Sequence, residues 1–560
     1  MKKRDESIPL APSMSPIQGK KQVQVPGMVD KRVFYLSIQA IINALVIGAI
    51  AKVLVYLIDL ITNIAFYGKF SFEGAGPAEN SLGIAVIAIP IVGSIIVGLL
   101  AKYGSAAIRG HGIPEAMEKI ILDESKIPPL ITLLKPLSAA ISIGTGGPFG
   151  AEGPIIATGG AFGSFTGQIM HISAAERKIM LSAGACAGMA AIFGSPLAAV
   201  LLAIELLLFE FSARSIIPVA LACITGAGMH ILLFGHEPVF AMGAITAPSD
   251  GALIVYTAMG LFIGVVAALV SKSVYAVEDL FEKLPVHWMW WPAIGAVAVG
   301  VVGYFAPYTM GVGYDNIQHL LSGHLPLAML LSLCILKYIS WVISLGSGTS
   351  GGTLAPLFTI GGALGALTGM VVLKIFPASG ITLATAALVG MAAMFAGASR
   401  ALLTSIIFAL ETTGQPNGLL PLLCACIAAY FVSFFLMKGS IMTEKIRRRG
   451  ISTPDTYEPD LLRYTTVKEV MEPLPEDDRA LSLYAVKETD DLGTCLQLMG
   501  QHGVNELMVT DEADHPIGMI TSKDLISFYS NQKSQEQQYE APVGTKRLLV
   551  RTRKMIHYKR

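Results

Sequence analysis

The sequence predicts an all-α protein that crosses a membrane many times and carries a small α/β domain at its C-terminal end. Three observations predict it. Hydrophobic residues make up 53% of the 560 and charged ones only 14%, against about 25% charged in ordinary soluble domains. The deficit lies between residues 33 and 437, where apolar runs such as 81–100, 252–270 and 325–345 follow one another. Each reaches the roughly 20 residues that a hydrocarbon core about 30 Å thick demands. After residue 462, helix-like stretches alternate with short β-branched ones.

Taken in order, residues 1–30 are a polar, Pro-containing tail, and no cleavable signal peptide is expected there. Residues 31–442 are the membrane domain, 443–461 a charged linker, 462–530 the small domain and 531–560 a basic tail. Lys2, Lys3, Arg4, Lys20, Lys21, Lys31 and Arg32 precede the first apolar run, and Lys445, Arg447, Arg448 and Arg449 follow the last. Basic flanks mark the cytosolic side, so both termini are expected in the cytosol after an even number of crossings of a bacterial-type inner (plasma) membrane. The basic tail, with Lys546, Arg547, Arg551, Arg553 and Lys554, is a solvated run or a contact for anionic membrane lipid. A net charge of zero suggests no nucleic-acid partner, and of six Cys only Cys495 lies outside the apolar region. That is neither a disulfide framework nor a metal spacing.

The membrane domain contains an internal repeat. Pro154, Gly159, Gly160, Ala161, Gly163, Thr166 and Gly167 each find an identical residue at an offset of 202, from Pro356 to Gly369. Gly184 and Gly390, and Glu205 and Glu411, match at an offset of 206. Transporters are often built from such repeats, with the substrate site between the halves near the membrane midplane.

Three Gly/Pro segments interrupt the apolar runs: 110–115 (GHGIPE), 146–154 (GGPFGAEGP) and 346–356 (GSGTSGGTLAP). Each has a Gly stretch, then a Pro suited to a first helical turn, then a helix-like run. Each is therefore a helix start inside the membrane. Free N–H groups and the helix dipole make such a start an anion site without a full positive charge. Irregular backbone at this depth is tolerated only inside protein or along a watery cavity.

These segments resemble the three anion-binding motifs of the CLC family of chloride channels and chloride/proton antiporters, written G-S-G-I-P, G-[KR]-E-G-P and G-x-F-x-P. Here they stand as Gly110–His111–Gly112–Ile113–Pro114, Gly150–Ala151–Glu152–Gly153–Pro154 and Gly352–Thr353–Leu354–Ala355–Pro356. The resemblance implies two inverted repeats of short, tilted helices, broken at the ion site, and a homodimer with one pore per subunit. It implies anion contacts from His111, Gly112 and Ile113, from the backbone N–H groups of Thr353 and Leu354, and from Met442. Side-chain ligands depart from the family pattern. His111 stands for the pore Ser, Ala151 for the basic residue, Leu354 for the Phe, and Met442 aligns with the pore Tyr. Chloride is the default ion, with nitrate or fluoride as alternatives.

Glu152 is a carboxylate in an apolar, Gly-rich segment. It is either a structural group bonded to helix N–H groups or, as intramembrane acids are by default, functional. A carboxylate is itself an anion; it can take the ion's place and leave when protonated. The resemblance assigns Glu152 that gating role. Glu205 and Glu411 read as backbone-binding residues near helix ends. The acid that carries protons from the cytosolic side in the family's antiporters aligns with Leu206, which holds no proton. Glu210 and Glu205 are the candidate relays that remain. On that ground the sequence favours a channel-like or weakly proton-coupled conductor, with an antiporter as the alternative. An intramembrane enzyme using His111, Glu152 or Ser195 is disfavoured, since there is no His-rich metal spacing and Ser195–Pro196 begins an ordinary apolar run.

In the small domain, the stretches 466–471, 496–499, 507–510 and 516–525 resemble one CBS motif, in which Thr521 and Asp524 match the ribose- and phosphate-binding pattern. Such domains work in pairs, so two subunits would supply one pair. No cofactor is required by this reading; an adenine nucleotide is the candidate ligand of the small domain.

Overall fold

The computed structural model describes residues 31–451, 462, 465–473, 484–511, 513 and 515–530. The two tails (1–30 and 531–560) and most of the expected linker (452–461) lie outside the described residues. The chain divides into two units, residues 28–456 and the remainder.

Helices of the first unit fall into two matching sets of eight. The first comprises α1 (Lys31–Thr62), α2 (Ala88–Tyr103), α3 (Ile113–Leu122), α4 (Ile131–Gly144), α5 (Glu152–Ile169), α6 (Ala174–Phe193), α7 (Pro196–Leu202) and α8 (Ala213–Phe234). The second comprises α9 (Asp250–Glu282), α10 (Trp291–Phe305), α11 (Tyr314–Ser322), α12 (Leu327–Gly346), α13 (Leu354–Ile375), α14 (Leu383–Ser399), α15 (Leu402–Thr413) and α16 (Leu419–Leu436). Among the described residues, eight helices are long and apolar enough to cross a membrane, and they contain the runs at 81–100, 252–270 and 325–345 almost entirely. Many others are short, as the resemblance implied.

The repeat is visible in the packing. Gly159 of α5 and Gly184 of α6 cross so closely that a Cβ on either would lie 2.2 Å from the other's carbonyl oxygen. Gly361 of α13 and Gly390 of α14 make the same crossing in the second half, at 2.6 and 2.3 Å. Small residues at such crossings let membrane helices pack without a hydrophobic drive.

The two halves cap one another. Glu411, near the end of α15, accepts from the amides of Leu197 and Ala198 at the start of α7, at 3.0 and 2.8 Å. Glu205, on the π-helical turn Ala203–Leu208 that continues α7, accepts from the amides of Leu403 and Thr404 at the start of α15, at 2.8 and 2.9 Å. The Thr404 hydroxyl adds a third bond to Glu205 at 2.6 Å. Each helix start meets the other helix's end, so α7 and α15 run antiparallel, as two copies in inverted orientation do. The first helical amides have no partner within their own helix; here the opposite half supplies it.

Beyond α16, the expected linker begins as a short helix, α17 (Glu444–Arg448), bound to α3: Lys445 pairs with Glu115 at 3.0 Å and Arg449 pairs with Glu118.

The second unit is built on a four-stranded sheet in the order β1–β4–β3–β2, from β1 (Glu472–Pro473), β2 (Ala485–Lys487), β3 (Glu506–Thr510) and β4 (Pro516–Thr521). β2 and β3 are parallel and joined through α18 (Leu492–His502); β3 and β4 are antiparallel. Val486, Leu492, Cys495, Leu507, Val509 and Ile520 form its core. A last helix, α19, covers 522–530.

Candidate functional site

The three Gly/Pro segments meet at one place. A Cβ on Gly112 would lie 2.2 Å from the Gly153 carbonyl oxygen, and one on Gly153 would lie 2.2 Å from the His111 carbonyl oxygen and 2.8 Å from Gly352 Cα. The starts of α3, α5 and α13 therefore converge with their backbones in contact, and only glycine permits it. Gly112 has φ +99° as well, a conformation that a side chain disfavours. Between the halves, the Gly110 amide donates to Thr349 O at 2.9 Å and Arg109 Nε to Gly348 O at 3.1 Å. Three helix N-termini thus point partial positive charge at one buried volume.

The sequence-predicted residues sort as follows. His111, Gly112, Ile113, Thr353 and Leu354 are buried at this junction. The Gly112 amide is taken by Glu115 Oε2 at 2.7 Å, which leaves the next amides of α3 for the site. His111 is 5% exposed, and its Nδ1 has no hydrogen-bond partner. Its ring lines a cavity of about 530 Å³ with Arg109, Glu115, Glu278 and Lys445. Met442 is fully buried, its amide bonded to Ser440 Oγ at 3.2 Å, in the turn that leads into α17 and the Lys445–Glu115 pair.

Glu152 opens α5 and is 0% exposed. Its Oε1 accepts from the Tyr314 hydroxyl at 2.9 Å. The Glu152 and Ala355 amides also act on the carboxylate, while Oε2 lacks a partner of ordinary geometry. That oxygen is folded back over Gly150 and lies 3.2 Å from where a Cβ on Gly352 would be. The carboxylate therefore sits at the start of α13.

Two lysines unsuspected from sequence complete the charge. Lys135 of α4 (1% exposed) donates to Ile108 O and Gly110 O at 2.8 and 2.9 Å. Lys337 of α12 (0% exposed) donates to Gly311 O at 3.2 Å and lies close enough to Glu152 to interact with its charge. They are repeat equivalents, at the offset of 202 that relates Pro154 to Pro356. Each holds the loop ahead of the short helix, α3 or α11, in its own half. An ionisable group within an apolar run, repeated at the duplication offset, was the available signal.

The candidate relays lie elsewhere. Glu205 is engaged by the start of α15. Glu210 follows Phe209, whose φ of +53° turns the chain, and pairs with Lys178 at 2.8 Å with 39% of its side chain exposed. Leu206 is buried. In the second unit, Asp524 Oδ2 accepts from the Thr521 amide and hydroxyl at 2.8 and 2.6 Å, so the two residues bond each other at the start of α19.

Comparison with known proteins bears on this geometry. A family model described as "Voltage gated chloride channel" matches residues 92–434, and a CBS domain matches 467–531. The H(+)/Cl(-) exchange transporter ClcA of Yersinia pestis bv. Antiqua (strain Angola) is 30% identical over 352 residues, covering 60% of this chain and 72% of that protein. The same holds for the protein of that name from Yersinia pseudotuberculosis serotype O:3 (strain YPIII). Among solved structures, a slow cyanobacterial Cl-/H+ antiporter superposes with a TM-score of 0.65 at 24% identity, over 73% of this chain and 97% of that one. A CLC-type fluoride/proton antiporter superposes with a TM-score of 0.61 at 20% identity, over 74% and 98%.

Proposed function

The chain belongs to the voltage-gated chloride channel (CLC) family, and from that membership we propose that it exchanges chloride for protons across the membrane. The observation that carries it is the Glu152 carboxylate, buried at the junction of three helix starts and folded over the start of α13. A group that competes with the anion when charged and withdraws when protonated ties anion passage to proton arrival. The relatives at 30% identity are named as H(+)/Cl(-) exchangers, which favours exchange over the channel-like behaviour that Leu206 suggested. It also favours chloride over fluoride, since the fluoride/proton antiporter shares the fold at 20% identity. In this reading the inner proton route avoids position 206 and runs past His111, whose ring lines the cavity shared with Glu115 and Glu278. The working unit is a homodimer, in which two small domains supply the usual CBS pair.

Reconstituted into liposomes, the protein is expected to move protons uphill when a chloride gradient is imposed. Its reversal potential under crossed gradients should lie between the chloride and proton equilibrium potentials. A reversal potential that follows chloride alone, whatever the pH gradient, would reduce the protein to an uncoupled conductor.

His111 yields a second expected result. The charged groups around it are Glu115 of α3, Lys135 of α4 and Lys445 of α17. An anion held beside the ring favours the imidazolium, so apparent chloride affinity should strengthen as pH falls through the histidine range. His111→Ser is expected to flatten that dependence and to change the order of anion preference. An unchanged selectivity series in the variant would make His111 a bystander.

A further inference from the structure

We propose that Tyr314 is the latch of the gate: its hydroxyl holds the ionised Glu152 carboxylate in the closed position, and protons that release it arrive from a cavity on the far side of Tyr314. The proposal rests on the exchange reading for its consequence but on geometry of its own. Tyr314 is the first residue of α11, and its hydroxyl is the one side-chain donor within hydrogen-bond distance of Glu152 among the described residues. Its ring is fixed from behind by an aromatic cluster. Phe193 and Phe240 lie edge-on at centroid distances of 5.8 and 5.7 Å, and Phe408 packs on Phe193 at 4.9 Å. The hydroxyl is therefore aimed by packing and does not have to find the carboxylate.

On its other side, Tyr314 lines a cavity of about 370 Å³ with Asp59, Thr62, Ala151, Gly313 and Asp315. Ala151 is the residue before the gate, so this cavity reaches the neighbour of Glu152. The titratable side chains that act on Glu152 are Tyr314 of α11 and Lys337 of α12, while Asp59 of α1 and Asp315 of α11 line the neighbouring cavity. Lys337 is held on Gly311 O. Tyr314 offers a bond that depends on the carboxylate's charge. A hydrogen bond to an ionised acceptor is markedly stronger than one to a neutral acceptor. When a proton from the Asp59–Asp315 cavity binds Glu152, the carboxylate becomes a neutral carboxyl and the bond to Tyr314 weakens. The side chain is then free to leave the start of α13. No electrons move; one proton passes from the cavity to Glu152 and, in exchange, leaves towards the opposite side past His111 before the gate closes.

Maximal chloride flux should be recorded against pH in proteoliposomes, together with proton movement, for the wild type and Tyr314→Phe. The phenylalanine keeps the ring in its cluster and removes the bond. Loss of one hydrogen bond to a charged group is expected to raise flux near neutral pH about tenfold. The midpoint of the pH profile should move up by about one unit, and fewer protons should accompany each chloride as anions slip past an unlatched gate. A ring-fluorinated tyrosine at position 314, a stronger donor of the same shape, should move the midpoint the opposite way. Superimposable profiles for all three proteins would overturn the latch. A wild type that moves no protons would instead sink the exchange reading, and the shift in the flux profile would still decide the role of Tyr314.

Discussion

Glu152→Gln is expected to leave chloride flux running while proton movement falls to background and maximal flux loses its dependence on pH. Gln keeps the size of the side chain and can still accept from Tyr314. It has no charge with which to compete for the partial positive charge at the start of α13, and no proton to give up. The gate is then permanently in its protonated-like state. The effect on coupling is all-or-none, because Glu152 is, among the described residues, the one carboxylate folded over the start of α13; Glu115 is bound to the Gly112 amide and Lys445, Glu205 and Glu411 to helix starts, and Glu210 to Lys178. Parallel chloride-electrode and pH-electrode traces on the same vesicles check it. Persistent uphill proton movement in the variant would remove Glu152 from the proton path. Any pH dependence that survives in apparent affinity, as opposed to maximal flux, belongs to His111.

Gly112→Ala is the second large effect. Alanine there adds a Cβ 2.2 Å from the Gly153 carbonyl oxygen, on a backbone with φ +99°. Neither problem can relax cheaply. The backbone strain alone is of order 1–3 kcal/mol, and the obstructing atom belongs to the first turn of α5. Either the α3 and α5 starts separate, which disperses the site, or the membrane domain does not assemble. Flux is expected to fall at least tenfold, and size-exclusion profiles of the detergent-extracted protein separate the two routes. Gly228→Ala on α8, where a Cβ meets nothing within 4 Å, should behave as wild type. Equal activity of the two variants would mean that the tight junction is not needed for transport.

Much of this architecture was legible because backbone demands leave a mark on residue type. Only Gly allows main chains to touch, and only certain positions tolerate Pro, so the three helix starts and the duplication could be read directly. Glu152 stood out as an acid in an apolar run. Tyr314 did not: after Gly313 it reads as an ordinary helix start, and its partner lies 162 residues earlier. Glu210 attracted notice as an acid about one turn beyond Leu206, but the left-handed Phe209 and the Lys178 ion pair fix it away from the junction. The equivalence of Glu205 and Glu411 was readable; that each serves the opposite half was not, since periodicity describes a segment and not its neighbour. The leaning towards a channel came from one missing acid, and the names of the relatives at 30% identity favour the exchange alternative instead.

The crossed caps also bear on how the protein is made. Chains emerge N-terminal end first, at about 5–20 residues per second. The amides at the start of α7 wait for Glu411, 214 residues downstream of Leu197. For roughly 10–40 s of synthesis at that rate, the first half lies in the bilayer with polar groups that only the second can satisfy. In hydrocarbon such groups are costly to leave open. The early half is therefore a client of whatever insertion machinery can shelter it, and the moment of greatest exposure to quality control falls just before α15 arrives.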